Sequence, residues 1–170
     1  LGLTVEDDPL DWWHMTFSGG LSSDGSKNYT DETEDSEFNT YRTTLSWQND
    51  IIPAKGQVIT LGSDFMQEQI SSSSSNDLSE RDDWALFGQY QGTYKKSDWV
   101  LGGRHIDNEQ FGSHLTGNVE VGYRLLDNLR LIAGYGTAFK APTFNDLYFP
   151  TSAFGAGNPD LLPETSESYE

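Results

Sequence analysis

Apolar and polar residues alternate with period two along most of the chain. Trp13, Met15, Phe17, Gly19 and Leu21 fall on one side of such a run, opposite His14, Thr16, Ser18 and Gly20. The pattern returns at Tyr41, Thr43, Leu45 and Trp47, then at Ile59, Leu61, Ser63 and Phe65. It returns again at Trp84, Leu86, Gly88, Tyr90, Gly92 and Tyr94, and at Trp99, Leu101 and Gly103. Leu115, Gly117, Val119, Val121 and Tyr123 form a sixth run, and Leu131, Ala133, Tyr135, Thr137 and Phe139 a seventh. Period two marks a strand with one apolar face, and no helical period of comparable length competes with it. The chain therefore predicts seven complete strands in an all-β, antiparallel up-and-down meander. LGLTV before the turn-like EDDPLD reads as the tail of a further strand, and SESYE as a C-terminal strand stub.

The connections alternate in character. NDIIPAKG, KKSD and LLDN are short and turn-like, whereas SDGSKNYTDETEDSE (23–37) and QISSSSSNDLSERDD (69–83) lack apolar period and predict long polar loops. NEQFG is short where the alternation calls for a long loop.

An alternating sheet buries its apolar face either against a second sheet or against lipid. Three features favour lipid. Trp13, Trp47, Tyr94, Trp99 and Tyr123 sit on the apolar face toward the short turns, and Tyr41, Phe65, Trp84 and Phe139 toward the long loops. Two aromatic bands flanking aliphatic residues suit two lipid–water interfaces, because Trp and Tyr join an apolar body to a polar tip. Membrane barrels also pair short periplasmic turns with long external loops. Finally, Arg42, Asp64, Glu68, Arg104, Glu120, Arg124, Arg130 and Lys140 share the opposite face, which a wet or plug-filled lumen accepts and a dry interior does not.

Composition narrows the field. With 170 residues, 10 Lys+Arg against 27 Asp+Glu and a net charge of −17, the chain cannot neutralise phosphates along a nucleic acid. It has no cysteine, so neither a disulfide framework nor a thiolate metal site is available. Mean hydropathy is −0.61, and no run approaches the ~20 apolar residues of a membrane helix. Barrel strands, which need only ~9–11 residues, keep a low mean because every second residue is polar.

From Gly134 onward the sequence reads GYGTAFKAPTFNDLYFPTSAFGAGNPDLLPETSESYE. A strand ends at Ala141-Pro142, where proline has no amide hydrogen for a ladder. A loop rich in Pro and Gly follows, and Leu161 to Glu164 leads into the final stub. Tyr135, Gly136, Thr137, Phe139, Lys140, Ala141 and Pro142, followed by Gly157, Asn158, Pro159, Leu161, Pro163 and Glu164, resemble two paired segments of the TonB-dependent outer-membrane receptors. They are most similar to the vitamin B12 (cobalamin) receptor branch.

That resemblance implies a plug-filled, roughly 22-stranded barrel, of which residues 1–170 form part of the wall. The plug domain and its TonB box are absent from this sequence. It implies bacterial outer-membrane localisation and lipid as surroundings. It also implies energy-coupled import of a scarce, bulky nutrient through the inner-membrane TonB complex. Cobalamin or a related corrinoid is the first expected cargo, with a ferric siderophore or haem next, and no enzymatic activity or cofactor is expected. The alternatives are a passive porin, a small outer-membrane β-barrel enzyme and a soluble sugar-binding β-sandwich.

Candidate site residues follow. Phe144, Tyr148, Phe149 and Phe154 offer aromatic faces on a loop, suited to stacking on a large flat ligand or to packing that loop on its neighbours. Lys140 and Glu164 flank the loop as a candidate strut at its roots. Trp13, Trp47, Trp84, Tyr94, Trp99 and Tyr123 are the membrane-interface aromatics. Asp31, Glu32, Glu34 and Asp35 form an acidic cluster of the kind that holds calcium in external loops of cobalamin-type receptors, but without the spacing of a dedicated calcium loop. His14, His105 and His114 show no metal-ligand spacing.

Overall fold

The computed structural model describes residues 1–30, 33–73, 79–151 and 155–170. Nine strands follow one another: β1 (Gly2–Leu10), β2 (Trp13–Thr30), β3 (Thr33–Ala54), β4 (Gln57–Ser72), β5 (Glu80–Tyr94), β6 (Ser97–Asn108), β7 (Gly112–Leu126), β8 (Leu129–Lys140) and β9 (Glu164–Tyr169). Each pairs antiparallel with the next in a single nine-stranded sheet, in the order β1 to β9. One short helix, α1 (Phe144–Tyr148), lies in the connection from β8 to β9.

The two faces fall as the alternation predicts. Cross-strand partners Arg42 and Glu68, Glu68 and Arg81, Ser46 and Asp64, and Phe87 and Arg104 place the charged residues together. Phe17 and Trp47, Phe65 and Trp84, and Tyr90 and Leu101 share the other side. That apolar side meets no second layer among the described residues, and Leu115 is 78% exposed. Leaving this much apolar surface to water would be costly; lipid removes the cost.

Strand lengths depart from the sequence reading. Within the loop expected over 23–37, residues 23–30 and 33–37 instead continue β2 and β3, paired as far as Thr30 and Thr33. Much of 69–83 likewise belongs to β4 and β5. A backbone ladder needs no apolar side chain, and a strand that rises beyond lipid meets water on its outer face. Its period of two then vanishes while the strand persists.

Of the expected turn at Glu6–Asp11, residues up to Leu10 belong to β1 and Asp11 alone falls in the turn. Pairing there shifts between Asp7 and Leu10, and a similar shift separates Ile51 from Ala54. Pro9 and Pro53 fall in these irregularities, where a missing amide hydrogen is tolerated.

Tight turns gather at one end of the sheet, at Asp11–Trp12, Lys55–Gly56, Lys95–Lys96 and Asp127–Asn128. Gly56 (φ 77°) and Lys95 (φ 55°) take the left-handed conformation that two-residue hairpins demand. Trp13, Tyr94, Trp99 and Tyr123 lie close to this rim. Trp47 sits farther up, opposite Phe17 and Ser63. Toward the other end Trp84 packs on Phe65 at 4.5 Å between ring centroids, the rings tilted by 41°. Phe139, expected in the same outer band, packs instead on His114 at 3.7 Å and borders the inner cavity.

Candidate functional site

The segment after β8 folds back over the charged face. Thr143-Phe-Asn-Asp146 is a capping box. Asp146 N donates to Thr143 Oγ1 at 3.2 Å, and Thr143 N donates to Asp146 Oδ2 at 2.9 Å. Thr143 Oγ1 also donates to Asp146 Oδ2 at 2.7 Å. These two donors, with a smaller contribution from Lys140, hold the Asp146 carboxyl below its ordinary range.

The box starts α1 so that Phe144 and Leu147 project together onto the sheet, where they are 1% and 0% exposed. Phe144 joins Phe38 and Ile70, from the upper parts of β3 and β4, in a hydrophobic cluster, with Tyr148 and Phe149 against it. Apolar burial here anchors the loop to a wall several strands away.

The two segments that carried the family resemblance are both fastened to this anchor. Gly157 N donates to Phe149 O at 2.8 Å, and Asn158 N donates to Asp146 O at 2.8 Å. A side chain at Gly157 would meet the Phe149 nitrogen at 2.5 Å and the Leu147 carbonyl at 2.6 Å, so only glycine allows this approach.

At the other segment, the carbonyl of Pro142 accepts from Arg81 Nη1 at 3.0 Å. Arg81 also donates from Nη2 to Glu68 Oε2 at 2.6 Å and from Nη1 to Gln110 Oε1 at 3.2 Å. Its guanidinium carbon lies 4.9 Å from the Phe144 ring centroid and 5.9 Å from that of Phe111. Arg42 completes the cluster, with Nε donating to Glu68 Oε1 at 3.0 Å. Glu68 and Arg81 are each 3% exposed, so one carboxylate is held by a buried guanidinium, that of Arg81, and by the exposed one of Arg42, whose side chain is 44% exposed. Asp64 is paired in the same manner, accepting from Arg104 Nη1 at 2.6 Å and from Ser46 Oγ at 2.7 Å.

The unexpectedly short Glu109–Phe111 connection has a place in this arrangement. Asn108 Oδ1 accepts from the backbone nitrogens of Gln110 and Phe111, closing the turn tightly. Gln110 is thereby presented to Arg81, and its Nε2 also reaches Tyr148 Oη at 3.4 Å. A long loop here would occupy the space that α1 crosses.

Beneath the loop, β3 to β6 and the end of β8 enclose an open cavity of about 500 Å³, bordered by Arg42, Asp64, Glu68, Arg104 and Lys140. A cleft of about 190 Å³ continues past Thr143 and Asn145 toward Ser22 and Asp24. Leu45, Phe65, Ile106 and Phe139 also line the larger space, which therefore offers charged groups beside apolar wall.

The expected site residues are distributed unevenly around this space. Phe144 is sealed inside the anchor, Tyr148 and Phe149 are half-buried at its edge, and Phe154 lies outside the described residues. Lys140 and Glu164 are direct cross-strand partners at the loop roots, with no ion pair joining them among the described residues. Asp31 and Glu32 lie outside the described residues, and for Glu34 and Asp35 the backbone alone is described, within β3. Arg81 falls in the 69–83 stretch, whose lack of apolar period predicts a loop. The signal was available, since Arg81 and Asp83 continue the parity of Ala85 and Phe87. The capping box was legible too, as Thr143 and Asp146 stand three apart.

The model of the family described as "TonB dependent receptor-like, beta-barrel" matches residues 1–170. The vitamin B12 transporter BtuB of Photobacterium profundum is 34% identical over 157 residues, covering 91% of this chain and 25% of that protein. BtuB of Vibrio vulnificus is 35% identical over 133 residues, 76% of this chain and 21% of that one. The chain thus spans about a quarter of the length of these relatives. The crystal structure of the siderophore receptor PirA from Pseudomonas aeruginosa superposes with a TM-score of 0.67 at 18% identity, covering 99% of this chain and 40% of that one. PirA from Acinetobacter baumannii gives a TM-score of 0.67 at 19% identity, over 99% of this chain and 31% of that chain. The fold is shared with both.

Proposed function

The chain belongs to the TonB-dependent receptor β-barrel family, and from that premise we propose that it forms part of the wall of an outer-membrane importer for cobalamin or a related corrinoid. One observation carries the transport reading: the described part of the β8–β9 connection is seated over the polar inner face, anchored at Phe38 and Ile70 and at Arg81. A loop fixed there narrows the mouth of the lumen and leaves the charged cavity below it for a large hydrated solute. The wall then acts as a rigid frame. Uptake is driven by the inner-membrane TonB complex through a plug, and no bond in the cargo is broken. The similarity to two vitamin B12 transporters supports a corrinoid over other cargo.

The test is uptake of radiolabelled cyanocobalamin by cells whose own cobalamin receptor is deleted and replaced by the intact receptor that carries this segment. Uptake that disappears on deletion of TonB is the expected result. TonB-dependent growth on a ferric siderophore or haem, without cobalamin uptake, would replace the cargo and leave the family assignment standing.

A further inference from the structure

Cations and carboxylates are not spread evenly along this acidic chain. The neighbouring turns joining β3 to β4, β5 to β6 and β7 to β8, with their flanking residues, hold Lys55, Lys95, Lys96, Arg124 and Arg130. That is five of the 10 Lys+Arg against Asp98 and Asp127, whereas the fourth turn of the same rim, joining β1 to β2, carries Asp7, Asp8 and Asp11. Elsewhere the arginines are paired: Arg42 and Arg81 on Glu68, and Arg104 on Asp64. Arg130 is paired too, on Asp98. Lys55, Lys95, Lys96 and Arg124 are exposed and have no ion-pair partner among the described residues.

The turns that carry these groups are neighbours. Thr93 N donates to Gly56 O at 2.8 Å, joining the first turn to the strand that enters the second. Arg124 N donates to Lys96 O at 2.8 Å, joining the second to the third. The Lys95 ammonium stands 5.0 Å from the ring centroid of Tyr94, itself exposed on the lipid-facing side. Tyr94, Trp99 and Tyr123 place the membrane–water boundary immediately above the turns, so the lysines stand at headgroup depth. In a chain of net charge −17, these exposed lysines present a positive patch at that depth.

We propose that the Lys55, Lys95 and Lys96 rim binds the phosphodiester headgroups of anionic phospholipid, of the phosphatidylglycerol class, in the periplasmic leaflet. The proposal rests on the membrane orientation of the family and not on the identity of the cargo. Lipid seated along adjacent turns would hold the barrel at a fixed depth.

The experiment is native mass spectrometry of the intact purified receptor, titrated with dioleoylphosphatidylglycerol or dioleoylphosphatidylcholine. Two variants accompany it, K55Q/K95Q/K96Q and the charge-keeping K55R/K95R/K96R, each verified as folded by heat-modifiable migration. The wild type and the arginine variant should prefer phosphatidylglycerol, and the glutamine variant should bind it about fivefold more weakly or worse. Phosphatidylcholine binding should be the same in all three. Equal binding of the two lipids by wild type, or an unchanged preference in the glutamine variant, would overturn the proposal and leave an acidic protein segment as the partner to seek.

Discussion

Arg81 holds the carbonyl oxygen of Pro142 at 3.0 Å, so a side chain near the start of β5 fixes the point at which the chain leaves β8. The same guanidinium holds Glu68 at 2.6 Å. Removing it frees the loop and leaves a buried carboxylate with Arg42 as its remaining cation. Arg81→Leu should therefore destabilise the barrel by about 3 kcal/mol and speed proteolysis within residues 143–163. Adding Glu68→Gln should recover part of the stability without recovering protection of the loop. Equal recovery of both would mean that Arg81 acts only through the carboxylate.

Gly157 is the second fastening point, where backbone approaches backbone. Gly157→Ala puts a methyl group 2.5 Å from the Phe149 nitrogen, and nothing flexible is available to yield. A cost of about 1–3 kcal/mol is expected, confined to the loop. It should appear as faster amide exchange at Phe144–Phe149, with exchange in β4 and β5 unchanged.

The capping box gives the loop an acid limit. Hydrogen bonds from Thr143 lower the Asp146 carboxyl below its ordinary value, so the folded form binds its proton less readily than the unfolded form. The resulting stability is fully present above the ordinary aspartate range of about 4 and is lost as pH falls through the lowered folded value. Asp146→Asn should weaken α1 at neutral pH and abolish this acid step. Thr143→Ala should cost about 1 kcal/mol at neutral pH. Amide exchange of α1 followed against pH would display all three behaviours.

The strands that cross lipid were legible because lipid enforces alternation. Every second residue from Trp13 to Leu21 and from Leu115 to Tyr123 had to be compatible with hydrocarbon, and period two followed. Where β2, β3, β4 and β5 rise past the membrane this demand ends. Ser26, Lys27, Asn28 and Ser71 accordingly look like loop while sitting in strands. The candidate site depends on that extension. Phe38, Ile70 and Arg81 all belong to stretches with no apolar period of their own; they face inward by continuing the parity of Arg42, Glu68 and Phe87, which counts only once those stretches are strand. The loop aromatics were recognised as a group. Their division into a buried anchor, Phe144, and a half-exposed edge, Tyr148 and Phe149, depended on which strands α1 would reach, and sequence spacing does not encode that.

The central claim is that the apolar face meets lipid and the charged face a hydrated lumen. It is tested most directly by single spin labels on adjacent residues of β7 in the intact receptor, reconstituted in bilayers. This segment has no cysteine to interfere. Cysteines placed in turn at Val119, Glu120 and Val121 should give labels that are relaxed by oxygen, then by a water-soluble nickel chelate, then by oxygen again. Labels at all three positions relaxed alike, or nickel access at Val119 and Val121 with oxygen access at Glu120, would contradict it.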